Sequence, residues 1–181
     1  MVERDPTDWL WLLLIMGGTS RVMARLSELP IHKALDANLL MALVLVGGPV
    51  AGLLLIFAYG RLLHAMLRRL GGVATWVASR TAIAWSLAPG APSLALWGIM
   101  VASYGVDALS PAALEKATGA EGKLVLSLDY FVQFALATWS LILEIVTLAD
   151  VHRIRLWKVL LSELALGVAV VAVAMLVMAL A

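Results

Sequence analysis

Apolar positions along this chain come in long unbroken blocks joined by short polar connections, a pattern of fully apolar helices rather than of one-faced helices or alternating strands. A helix needs roughly 20 mostly apolar residues to cross a hydrocarbon layer about 30 Å thick. Leu39 to Tyr59 is the first clear block, Leu124 to Leu148 the second and Trp157 to Ala181 the third. Gly71 to Tyr104 is equally apolar but holds Pro89-Gly90-Ala91-Pro92. Two prolines lack amide donors and disfavour a helical residue before them, so a broken helix is expected there. Trp9 to Met16 is a shorter run, after which Arg21, Arg25 and Glu28 share one helical face at spacings of four and three. That first segment either crosses or lies in the interface.

The expectation is an all-α, polytopic integral membrane bundle, a single domain over residues 1–181 with five transmembrane segments near 9–29, 38–66, 71–105, 124–149 and 157–181, the third broken at Pro89–Pro92. Composition agrees: 63% of residues are apolar, 14% are charged and the mean hydropathy is +0.99, more than a soluble core of this length requires. The excess faces lipid. A net charge of +1, with bases only in short juxtamembrane clusters, argues against a nucleic-acid partner. The chain has no cysteine, which excludes disulfides, thiolate metal sites and cysteine nucleophiles. Glu3, Asp5 and Asp8 stand where a cleavable signal peptide would be basic, so the start of the chain is read as retained.

Short loops rich in lysine and arginine stay cytoplasmic. Arg61, Arg68 and Arg69 mark one such loop, and Arg153, Arg155 and Lys158 another; Val106 to Lys123 holds three acids against two bases and is placed outside. Asp36 and the C-terminus then also lie outside. If the first segment crosses, the N-terminus is cytoplasmic, but Arg25 and Lys33 fall on the outer side, against the charge rule.

Polar residues within the blocks come next. Asp129, Gln133, Ser140, Glu144 and Thr147 fall within about 60° of one another at ~100° per residue, forming one stripe that is costly against lipid. It either bonds neighbouring helices or lines an ion or solute path. Arg80, beside the small residues Thr75, Ser79, Ala82 and Ser86, needs a counter-charge, with Glu144 the first candidate and Asp129 the second, unless it snorkels to the headgroups. Arg80, Asp129, Gln133, Ser140 and Glu144 are thus the expected buried polar centre. Gly48 and Gly52, flanked by Gly47 and Pro49, suit a close helix contact and a kink. Glu163 is placed near the interface, within reach of Lys158 or water. Glu144, Asp150 and His152 are the candidate ligands for a metal, although their spacing matches no metal motif; His32, His64 and His152 lie in different connections. No nucleophile elbow, zinc-protease helix or phosphate loop occurs, so neither an enzyme nor a cofactor is expected.

Four stretches, LLLIMGGTSRVMARL, GGVATWVASRTAIAWSLAPGAPSLAL, WSLILEIVTLADVHRIRLWKVL and the apolar C-terminal helix, resemble the Yip (Ypt/Rab-interacting protein) domain family, especially its short bacterial members. The resemblance runs over nearly the whole chain. It implies five spans, a cytoplasmic N-terminus and an outer C-terminus, and so favours crossing by the first segment. Eukaryotic relatives are associated with Rab GTPases, vesicle budding and membrane shaping; the long hydrophilic N-terminal region of those relatives is missing here, which argues against Rab binding. The function expected is therefore non-enzymatic organisation of lipids or partner membrane proteins, copies of itself included, in a bacterial inner membrane. The rival is a small transporter or channel using the 124–148 stripe and the broken 71–105 segment.

Overall fold

A computed structural model describes residues 7–28, 37–105, 114 and 118–180. Glu3, Asp5, His32, Lys33, Asp36 and most of the acidic 106–123 loop lie outside the described residues, as do the side chains of Asp8 and Glu28. Among the described residues there is no strand. The helices are α1 (Thr7–Glu28), α2 (Ala37–Leu53), a π-helical segment (Leu54–Tyr59), α3 (Gly60–Arg69), α4 (Trp76–Ser86), α5 (Gly90–Tyr104), α6 (Ala120–His152) and α7 (Leu156–Leu180). Four stretches, Leu39–Arg69, Trp76–Tyr104, Ala120–His152 and Leu156–Ala179, are long and apolar enough to cross a membrane. The α1 helix is not one of the four.

Glycine decides how α1 sits. Gly18 lies against the backbone of Gly48 and Gly52, Gly52 against the Leu14 carbonyl, and Gly48 against Thr19. A β-carbon at Gly18 would overlap backbone atoms of the facing helix, so the two chains approach more closely than side chains permit. These pairings run in opposite directions along the two helices, which makes α1 and α2 antiparallel. Further along, Met23 and Leu26 bury with Leu40, Val44 and Trp97, bringing in α5. The expected contact of Gly48 and Gly52 is thus an internal one, with α1 as the partner.

Pro49 lies inside α2 and the π-helical turn follows it. A π turn carries an i→i+5 bond and rotates the residues beyond it relative to a plain α-helix. Its last residue is Tyr59. The next interruption falls at residues 87–89, between α4 and α5. Thr75 caps α4 by accepting from the Ala78 amide at 3.3 Å, and Gly90 at the start of α5 rests on Gly17 and Ser20 of α1.

The larger core joins Leu10, Leu13 and Leu14 of α1 to Ile56 of the π segment, Leu63 and Leu67 of α3, Ile83 of α4, Leu148 of α6 and Val159 of α7. The outward faces are apolar as well. Phe131, Trp139 and Ile142 on α6 and Val168, Val171, Met175 and Met178 on α7 are exposed. At roughly 25 cal/mol per Å² of apolar surface, such faces suit hydrocarbon and not water.

Candidate functional site

The α6 stripe turns toward α4 and α5. Ser140 Oγ donates to the Ser86 carbonyl at 2.5 Å, where α4 ends and leaves carbonyls without helical partners. Ser93 Oγ of α5 donates to Gln133 Oε1 at 2.7 Å, and Gln133 Nε2 donates in turn to Asp129 Oδ1 at 3.4 Å. Thr147 bonds within its own helix, to the Leu143 carbonyl at 2.6 Å. Asp129 therefore supports Gln133.

Between α1, the 87–90 turn and α6 lies a cavity of about 390 Å³. Ser20, Arg21, Ser93, Gln133, Ser140 and Glu144 supply its polar lining, and Leu87, Phe134 and Leu141 part of its apolar wall. Its α6 wall runs from Tyr130 to Glu144, about 21 Å at ~1.5 Å per residue. Glu144 closes that wall and is 6% exposed, with Oε1 buried and without a hydrogen-bond partner.

Around Glu144 the structure gathers three groups from three other elements. Glu163 of α7 and Arg21 of α1 act on it through their charges, and Tyr59, from the end of the π segment, through its hydroxyl. Tyr59 Oη donates to Glu163 Oε2, while Glu163 Oε1 is buried without a partner. This corrects two expectations. Arg21 of α1, rather than Arg80, is the cation whose charge acts on Glu144, and the two residues line the same cavity. Glu163 meets Tyr59, while Lys158 Nζ donates to the Leu70 carbonyl at 2.9 Å. Arg80 is half-buried, one residue beyond the fully buried Ser79.

A second polar cluster sits where α3 ends, α4 begins and α6 ends. Ser79 Oγ stands 2.8 Å from His64 Nδ1 and 2.9 Å from His152 Nε2, and donates to the Thr75 carbonyl at 3.2 Å in one of its rotamers. One hydroxyl carries one proton, so at least one imidazole donates to Ser79. The two rings lie 5.4 Å apart, and Arg61 stacks on Trp76 at 4.4 Å. His64 and His152, expected in separate connections, are thus brought together by a serine between them. Glu144, Asp150 and His152 are not: Asp150 is exposed, His152 is turned to Ser79, and among the described residues no group of three or more His, Asp or Glu stands close enough to hold a metal ion.

Of the five residues the pattern pointed to, Gln133, Ser140 and Glu144 line the cavity, Asp129 stands behind Gln133, and Arg80 lies elsewhere. Arg21, Tyr59 and Glu163 were not among them. Each is a single polar residue in or beside an apolar block, and the signal that finds such residues is the cost of leaving an ionisable group in hydrocarbon without a partner.

No family model, no curated protein and no solved structure matches the chain.

Proposed function

We propose that this chain is a five-crossing membrane protein, non-enzymatic, whose crevice admits a small solute from one side of the bilayer toward Glu144, in the manner of a small transporter or channel. The supporting observation is the polar cavity lined in part by Glu144, a buried acid whose Oε1 has no hydrogen-bond partner. A lone hydrogen-bonded stripe would need no such space, whereas a solute path does. The interruption at residues 87–89 adds to this reading, since backbone groups freed from a helix can face a cavity where lipid-exposed ones cannot.

The fifth crossing rests on α1. Its 22 residues extend about 33 Å at ~1.5 Å per residue, close to a hydrocarbon thickness of roughly 30 Å. It runs antiparallel along α2 through buried glycines, which supports a shared depth in the membrane. The basic residues at the α3 end and around Arg153 favour a cytoplasmic side for that end, and the reading carries a cytoplasmic N-terminus in a bacterial inner membrane. Yip-type organisation of lipids or partner proteins is the second reading, favoured by the largely apolar outward faces of α6 and α7.

Proteoliposomes loaded with a pH-sensitive dye and given opposed proton and sodium gradients separate the two. Transport or conduction through the crevice gives a dye response above protein-free vesicles that Glu144→Gln abolishes. A response absent in both proteins, or equal in both, returns the chain to the organising role.

A further inference from the structure

Two helices end and two begin at one end of the bundle. The α3 helix stops at Arg69 and α6 at His152, while α4 starts at Trp76 and α7 at Leu156. Lys158 Nζ, on the Leu70 carbonyl, ties the first turn of α7 to the end of α3. The Val73 amide donates to the His152 carbonyl at 3.1 Å, and a β-carbon at Gly72 would overlap the His152 ring. The connection after α3 and the connection after α6 therefore form one surface.

That surface is strongly basic. Residues 60–76 and 150–160 carry Arg61, Arg68, Arg69, Arg153, Arg155 and Lys158, and their one acid is Asp150. All five arginines are exposed, and the Arg61 guanidinium is held on the Trp76 ring. Helix ends do not offset this charge, because two C-termini of about −0.5 each meet two N-termini of about +0.5 each. Six exposed or half-exposed cations facing one carboxylate call for an anion.

The neighbouring side chains decide which anion. Leu70, Val73, Leu156 and Trp157 are exposed within the same stretches, so the bases border apolar surface. A soluble anion would meet the charges and leave that surface uncovered, whereas a phosphate carrying acyl chains covers both. We propose that this end of the bundle binds anionic phospholipid, with the phosphate on Arg68, Arg69, Arg153 and Arg155 and the chains along Leu156 and Trp157. The surface shares no residue with the crevice lining and stands whether or not the crevice admits a solute.

The test uses the full chain in phosphatidylcholine vesicles with a trace of chain-spin-labelled phosphatidylglycerol or phosphatidylcholine. Electron spin resonance reads the fraction of each probe immobilised at the protein. Wild-type protein is expected to prefer phosphatidylglycerol by about fivefold or more at low salt, and less as salt is raised. Replacing Arg68, Arg69, Arg153 and Arg155 together by glutamine should bring the two lipids to parity. Replacing the same four by lysine should keep the preference, with helical circular dichroism unchanged in both variants because all four positions are exposed.

Lys123→Gln, near the opposite end of α6, is the control and should leave the preference as it is. Equal immobilisation of the two lipids by the wild type overturns the proposal, as does a preference that survives in the glutamine variant or falls equally in Lys123→Gln. Loss of the wild-type preference in excess glycerol 3-phosphate, at constant ionic strength, would assign the surface to a soluble anion instead.

Discussion

Gly18→Ala is expected to destabilise the folded bundle by about 3 kcal/mol, at the upper end of what overpacking ordinarily costs, because the added methyl meets backbone and not a side chain that can rotate away. The atoms in its way are the Gly48 carbonyl and the Gly52 amide and Cα, so relief requires α1 and α2 to separate. Gly98→Ala is the matched control. Nothing lies near its β-carbon position, and in a helix alanine is favoured over glycine by up to ~1 kcal/mol. Reversible unfolding in mixed micelles, followed by helical circular dichroism, reads both. A loss at Gly18 with none at Gly98 is expected if α1 and α2 meet backbone to backbone; equal tolerance at both would mean that they do not.

Arg21→Gln is the second large effect. It leaves the Glu144–Glu163 pair with no cation among the groups that act on it. Arg21 acts on the pair through its charge from a half-buried position, and losing that charge costs roughly 1 kcal/mol. The double variant Arg21→Gln/Glu144→Gln should therefore be more stable than Arg21→Gln alone, recovering the greater part of the loss in the same unfolding measurement. Additive losses would mean that the two residues do not sense each other.

These two residues show what a linear reading can reach. The stripe on α6 was legible because helical periodicity gathers Asp129, Gln133, Ser140 and Glu144 onto one face before any tertiary structure is known. The missing amides of proline pointed to a break at Pro89–Pro92, whereas the turn between α4 and α5 falls at residues 87–89 and Pro92 lies within α5. Arg21 was visible only as part of a charged face, and its inward direction depends on the contact of Gly18 with Gly48 and Gly52, which joins segments far apart in sequence. Tyr59 depends on a π turn for its direction, and nothing in Leu54 to Tyr59 distinguishes that segment from an ordinary apolar helix. With Arg21 unplaced, the charge argument gave Arg80 to Glu144, the acid on the nearest polar face. The histidines behaved alike: His64 and His152 meet because α3 and α6 end at the same Ser79, a coincidence of helix lengths that spacing does not reveal.

Spin labels placed one at a time along α6 test most directly whether its polar face is turned to a water-lined crevice while its opposite face meets acyl chains. Labels at Ala137, Ser140 and Leu141 face the cavity, and labels at Trp139 and Ile142 lie on exposed positions outside its lining. In lipid nanodiscs the first group is expected to be relaxed more by a water-soluble nickel chelate and the second more by dissolved oxygen. Oxygen dominating at all five positions would put the stripe in hydrocarbon and contradict the account.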